Sequence, residues 1–527
     1  MSPHDIFLIS PQLSMAGLGL LVILADLVFS RKGILTWVAL IGLALPLAFT
    51  LAQLDQLTGG ILGSGDQNLV AETGILHGSL AVDRFGLFFN LLVVVSLGLV
   101  FLASADYVKS LPRLRGEFFG LMLLSASGMM LLASATELIA IYVALELTTL
   151  PLVAIAAFMP NSRSSEAGMK FLIIGAISSA LTLYGMALLY GFSGSTTLDG
   201  IALALGGPLR DDVPFGSYAV LVGIAVLTVG IAFKLSAIPS QMWVPDVYEG
   251  APIPMVAFLS VASKAVAFAL LLRFLYSGFL LFDADWGMLL AVLAAISMTV
   301  GNLVAIAQSN IRRLLGYSTI AHAGYILVGV AAVTQGSGIS DGNGSFTTLG
   351  PSSVLFYLVA YVAANLTAFF AILAIHSRIG SDLIEEYGGV FRRFPFLAVT
   401  LALALVALIG VPPTGIFVGK IYLFLAAVKS ELAWLALIGA VNSVISAYYY
   451  VRIIRVMFLS PESESVAASA LGTAPVDAES SRSAASWPTL TALAVTAICT
   501  VLLGVLFGPV VEVAESAVTA LPGIIAP

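Results

Sequence analysis

Cysteine is almost absent. Cys499 stands alone inside an apolar run, and the chain has only four histidines. One thiol cannot close an internal disulfide, and so few ligands leave no set for zinc or an iron–sulfur cluster. No redox centre, metal or other cofactor is expected in this chain. Charge is equally scarce. Lysine, arginine, aspartate and glutamate make up 10% of 527 residues, and hydrophobic residues make up 60%. A soluble domain carries about a quarter charged residues. The net charge of -7 is spread along the chain, and no basic arm or patch points to nucleic acid. The first apolar run, 6–29, lacks a basic lead and is followed by Arg31 and Lys32. A cleaved signal peptide has the reverse order, so this run reads as a first transmembrane helix.

What the chain does have is long apolar runs. With about 20 residues needed to cross a bilayer, the sequence predicts an all-α polytopic membrane protein of about fourteen spans. Their limits are 6–29, 34–54, 85–105, 117–135, 137–159, 167–192, 216–240, 252–275, 286–308, 312–333, 351–377, 395–428, 434–458 and 487–508. With the N-terminus outside, the inner loops hold Arg31, Lys32, Lys109, Arg113, Arg115, Arg163, Lys170, Arg312, Arg313, Arg378, Arg392, Arg393, Arg452, Arg455 and Arg482. The outer side holds Arg84, Arg210, Arg273 and Lys429. Fifteen against four is a strong positive-inside bias and places both termini outside. Segment 459–486, rich in Ser, Ala and acidic residues, reads as a flexible inner tether to the last helix. Segment 334–350 reads as a Gly- and Ser-rich outer loop, and 196–206 as a short interfacial helix.

Three lysines are left over: Lys234, Lys264 and Lys420 lie inside apolar runs, as does Glu146. A charge at the bilayer centre costs about 2.5–3.5 kcal/mol even on the lenient insertion scale. Such residues either pair to lock helices or mark an ion pathway, and four of them favour the pathway. Burial lowers a lysine pKa and a nearby carboxylate raises it. A lysine that gains and loses a carboxylate neighbour can therefore bind and release a proton. Glu146 and Lys234 are expected to lie within salt-bridge reach. In ELIAIYVALELTTLP, Tyr142 and Leu150 share a helical face with Glu146, and Glu137 reads as interfacial.

Two helices should be broken near mid-membrane. Lys234 precedes Pro239 in GIAFKLSAIPSQMWVP, and Pro412, Pro413 and Gly415 precede Lys420 in IGVPPTGIFVGK. Proline frees a carbonyl that must find protein or water, and paired interruptions point to a transport site built from repeats. His322, in STIAHAGYI, reads either as a packing residue or as a relay between lysine-bearing regions. His376 reads as an interfacial residue or a point of proton uptake. Asp246 and Glu249 lie in WVPDVYEGAP, read as a rigid inner turn. Tyr448, Tyr449 and Tyr450 read as an interfacial aromatic belt.

The stretches FKLSAIPSQMWVPDVYEGAPIPMVAFLSVASKAVAFALLLRF, GNLVAIAQSNIRRLLGYSTIAHAGYILVG and GVPPTGIFVGKIYLF resemble the antiporter-like membrane subunits of respiratory complex I, the proton-translocating NADH:quinone oxidoreductase, and among them subunit N. The resemblance implies two inverted five-helix repeats, 117–275 and 286–458, each with a broken helix. Helices 1–116 would precede them, and an inner loop 459–486 and a C-terminal helix and tail 487–527 would follow. It pairs Glu146 with Lys234 and runs from Lys264 towards Lys420. Subunit M usually has Glu where Lys420 stands. Subunit L carries a long lateral C-terminal helix, and the residues after 508 are too few for one. One departure stands out. The family usually has Pro-Phe-His before the Trp, whereas here Ser240, Gln241 and Met242 separate Pro239 from Trp243, and Gln241 cannot titrate.

By the same resemblance, NADH, flavin, iron–sulfur clusters and quinone belong to other subunits. The partners would be membrane-arm subunits M, K and J, the lipid bilayer and protons, in a bacterial inner membrane. The rival readings are a subunit of a multi-subunit cation/proton antiporter and a purely structural membrane spacer.

Overall fold

A computed structural model describes residues 3–29, 33–58, 72–74, 78–111, 114–206, 216–279, 286–332, 348–464, 466 and 487–521. Arg31, Lys32, Arg113, Arg210 and Arg482 lie outside the described residues, as do most of segment 459–486 and residues 334–347 of the outer loop.

In lipid every backbone group must be satisfied within the segment, so apolar runs of this length form helices. Among the described residues, fourteen crossings follow in chain order. The first six are α1 (Ser10–Val28), α2 (Gly33–Leu57), α3 (Arg84–Ser104), α4 (Arg115–Ser134), α5 (Leu138–Ala156) and α6 (Ser162–Ser193). The seventh is interrupted, α7 (Gly216–Leu235) and α8 (Trp243–Gly250). Then come α9 (Ile253–Gly278), α10 (Trp286–Ile306), α11 (Ile311–Ala331) and α12 (Leu349–Ile379). The twelfth crossing is again interrupted, α13 (Pro395–Ile409) and α14 (Gly415–Lys429), and α15 (Ala433–Leu459) and α16 (Trp487–Val505) complete the set. Two elements match or extend the sequence reading. Leu198–Gly206 is a short helix, and α17 (Gly508–Val518) follows the last crossing. The described β-structure is a two-stranded ribbon, Glu72–Gly74 against Leu80–Val82.

Local chemistry sets the helix ends. Asp83, Glu137, Asn161 and Asn310 cap α3, α5, α6 and α11 by accepting from backbone N–H groups of the first turn, which satisfies donors that a helix start leaves unpaired. Gly194 and Gly380 close α6 and α12 in the left-handed region. The apolar faces then sort by depth. α9, α11 and α12 form the enclosed centre, while α1, α2 and α6 lie on the rim. α9 contains one π-helical turn, Leu259–Ser263, immediately before Lys264. The last crossing returns to the first third of the chain. α16 packs on α3, with Thr489 donating to the Ala103 carbonyl at 3.0 Å, and Arg84 reaches Ser516 of α17 at 3.1 Å.

Three sequence readings change. Arg273 is not an outer-surface residue. It is 1% exposed and forms a two-pronged ion pair with Asp83 at 2.8 and 2.9 Å. Its Nε donates to the Ala133 carbonyl at 3.1 Å, and its guanidinium lies over the Phe85 ring. Desolvating a charge demands such pairing. The inner turn WVPDVYEGAP is a helix, α8, rather than a capping turn. Its Asp246 accepts from Lys170 at 2.7 Å and Arg313 at 2.6 Å, and Glu249 accepts from Arg313 at 3.1 Å. Those pairs tie α8 to α6 and α11. Tyr449 and Tyr450 are buried in the core, and of the three tyrosines only Tyr448 is exposed.

Below the centre, His376 and Arg312 both bind Asp382, at 2.8 and 3.1 Å. Burial alone would raise the Asp382 carboxyl, but the His376 hydrogen bond and the Arg312 charge more than reverse this and bring it down to about 2. A depressed folded value means that stability is present above the unfolded pKa, near 3.9, and is lost as pH falls towards about 2. Asp382→Asn should therefore flatten the fall in thermal midpoint of the detergent-solubilised complex between about pH 4 and 2, a contribution on the order of 2 kcal/mol. An unchanged acid limb would show that Asp382 does not govern it.

Candidate functional site

The two interruptions bring polar groups to mid-chain depth. At the first, α7 ends after Lys234 and the chain passes through Ser236 in the left-handed region and a cis Ile238–Pro239 bond. The freed Phe233 carbonyl accepts from the Trp243 indole at 3.2 Å, and the Ile238 N–H donates to Ser297 at 3.1 Å. The Trp243 ring is wedged between Phe171 and Phe233. At the second, α13 ends at Gly410, whose φ of 88° suits glycine, and a cis Pro412–Pro413 bond follows. The freed Ile409 carbonyl accepts from Lys420 Nζ at 2.8 Å. A β-carbon at Gly410 would press on the Lys420 side chain, so the turn and the lysine fit only with glycine there. At each break one carbonyl thus finds a side-chain donor within the protein.

Glu146, on α5, and Lys234, on α7, line one cavity of about 360 Å³ with Tyr142, Thr149, Ser178 and Ser179. Ser179 donates to the Glu146 carboxylate and lies 3.1 Å from the Tyr142 hydroxyl. Lys234 and Glu146 interact electrostatically, but no ion pair of 4.0 Å or less joins them. The cavity carries these charged and hydroxyl groups among apolar side chains and is large enough for several waters. The Gln241 side-chain oxygen is buried with no hydrogen-bond partner among the described residues, a position that suits a water rather than a titrating group.

Lys264, His322 and Lys420 form a second group around α11 and α12. Lys264 is 1% exposed, donates to the Thr319 carbonyl at 2.6 Å and lies over the Tyr361 ring. Thr319 and Tyr361 are hydrogen-bonded at 3.0 Å. His322 Nδ1 lies 2.7 Å from the Tyr357 hydroxyl, and its ring packs on Tyr361 and Tyr325. Lys420 binds Ser443 at 3.0 Å and sits over Tyr325, 4.4 Å from the ring centroid. The structure therefore joins Lys264, His322 and Lys420 through hydroxyls and aromatic faces, and keeps Glu146 and Lys234 as a separate pair. Sequence reasoning missed Thr319, Tyr325, Tyr357, Tyr361 and Ser443. Tyr357 and Tyr361 are four apart on one helix, as are Tyr142 and Glu146, and that spacing was the available signal. His376 lies with Asp382 and Arg312, away from both groups.

Neither Lys264 nor Lys420 has a carboxylate within 4.0 Å among the described residues. Arg273 and Asp83 show what a locking pair looks like in this fold, and the two lysines lack that arrangement.

The transmembrane family described as NADH:quinone oxidoreductase/Mrp antiporter matches residues 135–446. NADH-quinone oxidoreductase subunit N of Dehalococcoides mccartyi is 38% identical over 522 residues, covering 97% of this chain and 99% of that one. The chain belongs to the subunit N family of NADH-quinone oxidoreductases. The subunit N of Desulfitobacterium hafniense is 42% identical over 474 residues, 87% of this chain and 90% of that one. Among solved structures, a chain of respiratory complex I from Thermus thermophilus superposes with a TM-score of 0.74 at 31% identity, covering 96% of this chain and 99% of that one. A chain of the Mrp complex from Dietzia superposes at 0.79 over 99% of this chain and 98% of that one. Its identity is 20%, so it shares the fold alone. Subunit N membership agrees with the antiporter-like architecture of the fold.

Proposed function

We propose that Glu146, Lys234, Lys264, His322 and Lys420 are the proton-carrying groups of this membrane-arm subunit of NADH-quinone oxidoreductase. The observation that carries this reading is the enclosure of Lys264, His322 and Lys420 in one hydroxyl-lined group without carboxylate partners. A cation kept unpaired at this depth serves no locking purpose. In the first half, Glu146 would hand a proton through the shared cavity to Lys234. In the second, Lys264 would pass it by way of Thr319, Tyr361 and His322 towards Lys420. Crossings four to eight (117–275) and nine to thirteen (286–458) act as two repeats. The fourth crossing of each is the broken one, which supports that division.

The redox chemistry belongs to other subunits, which carry NADH, flavin, iron–sulfur clusters and quinone. Membrane-arm subunits M, K and J are the proposed neighbours. The arginine-rich ends of the crossings favour both termini outside, and likeness to bacterial relatives points to a bacterial inner membrane. Co-purification of flavin and iron–sulfur subunits distinguishes this assembly from a cation/proton antiporter, which would purify without them.

Glu146→Gln tests the first half. It keeps the size of the side chain and a partner for Ser179, but removes the charge facing Lys234. Protons taken up per electron pair should fall in vesicles holding the assembled complex. Undiminished uptake would remove Glu146 from the path.

A further inference from the structure

A second polar chain leads away from Lys420, and the relay does not use it. It runs across α10, α11 and α15 towards the face that carries Arg312, Arg313, Arg452 and Arg455. Tyr325, under the Lys420 ammonium, accepts from Asn302 Nδ2 at 3.3 Å. Asn302 Nδ2 also donates to Asn442 Oδ1 at 3.1 Å, and Asn302 Oδ1 accepts from the Tyr449 hydroxyl at 2.9 Å. Tyr449 packs on Tyr450, which is hydrogen-bonded to Ser318. Asn442 completes its own bonds to Thr299 and the Ile438 carbonyl, at 3.3 and 3.0 Å. Beyond Tyr450, Arg452 binds the Ile306 and Gln308 carbonyls. Asn302 is fully buried and Asn442 nearly so.

The chemistry of the links differs. A hydroxyl donates and accepts at one atom, so it can take a proton on one side and release one on the other. An amide donates only from nitrogen and accepts only at oxygen. A proton arriving at its oxygen cannot leave from its nitrogen unless the group becomes an imidic acid. Along the bonds described here, every connection from the Lys420 side (Ser443, Tyr325) to Tyr449, Tyr450 and Ser318 passes through Asn302, alone or with Asn442.

We propose that the Asn302–Asn442 amide pair is a proton-insulating plug, which lets the polar chain hold α10, α11 and α15 together while keeping Lys420 isolated from the arginine-rich face. The proposal rests on Lys420 being a relay group. Insulation matters because moving one charge against 100 mV takes about 2.3 kcal/mol, and a continuous hydroxyl chain beside Lys420 would return pumped protons.

The test is Asn302→Asp, close in shape but able to bind and release a proton at one oxygen. The purified complex is reconstituted in vesicles with electron transfer blocked by a quinone-site inhibitor, and the collapse of an imposed pH gradient is followed with an entrapped dye. Co-purification of the other subunits establishes assembly. Asn302→Asp should speed the collapse severalfold, and adding Tyr449→Phe should restore the wild-type rate by removing the next hydroxyl. If the aspartate variant does not assemble, Asn302→Ser replaces the amide by a hydroxyl and room for a water, with the same expectation. Collapse at the wild-type rate in an assembled variant overturns the proposal, as does a leak that persists with Tyr449→Phe. Adding Lys420→Arg separates the two readings. A leak indifferent to Lys420 shows that the amide pair does not insulate Lys420 and overturns the plug, while the relay is judged by whether pumping requires Lys420. No leak in Asn302→Asp, together with pumping that requires Lys420, removes the plug and leaves the relay.

Discussion

Complex carrying Lys420→Arg should assemble and yet take up at least about tenfold fewer protons through this chain, because arginine remains protonated at any working pH. Arginine releases its proton about two to three pH units less readily than lysine, so the neutral form needed for onward transfer is roughly 100- to 1,000-fold rarer. The guanidinium still offers donors to the Ile409 carbonyl and Ser443, which Lys420 now binds at 2.8 and 3.0 Å. Quinone reduction should fall with uptake if coupling is tight. The alanine variant is less clean than the sequence suggests. Lys420→Ala deletes the relay group, but it also leaves the Ile409 carbonyl without its donor, at a cost of about 1–3 kcal/mol. The measurement is protons taken up per electron pair in reconstituted vesicles, with subunit composition checked on the same sample. Full uptake by the assembled arginine variant would make Lys420 a structural charge and move the exit elsewhere.

The largest effect on stability is expected at a pair with no part in transport. Arg273→Met should abolish most assembly, because it strands the Asp83 carboxylate in a site where both partners are 1% exposed. Breaking a buried ion pair from one side costs about 3–5 kcal/mol, against a typical folded margin of about 5–15 kcal/mol. Asp83→Asn strands the arginine in turn, although asparagine can still cap α3 by accepting from the Gly86 N–H, now 2.7 Å away. The double variant leaves no unpaired charge and should recover much of the assembled complex. The readouts are the amount of complex in the membrane and its thermal midpoint in detergent. Single variants that accumulate to wild-type levels would show that the site is hydrated or the pair dispensable.

The charged residues of the site were legible because the sequence is so poor in charge. In a run such as FKLSAIPSQMW one lysine is conspicuous, and proline marks where the helix must stop. The span limits followed from the same contrast, and the interruption at Pro412–Pro413 divided what looked like one long crossing. Other features depend on contacts between distant segments. Arg273 closes an apolar run near its outer end and looks like a loop residue until Asp83, 190 residues earlier, is seen against it. Tyr449 and Tyr450 have the composition of an interfacial belt, and only packing against α10 and α11 turns them inward. Asn302 and Asn442 carry no charge, so nothing in their own segments marks them. Their significance comes from three helices meeting.

The joining of α16 and α17 to α3 also sets an order in time. Arg84 and Ser516 are 432 residues apart in the chain yet hydrogen-bonded in the folded protein. At about 5–20 residues per second, the third crossing is made roughly 20 to 90 s before the segment that covers it. Until then its outer end, with Arg84, must be tolerated by lipid, by the insertion machinery or by a neighbouring subunit. Translation of α16 and α17 is therefore the event that covers α3.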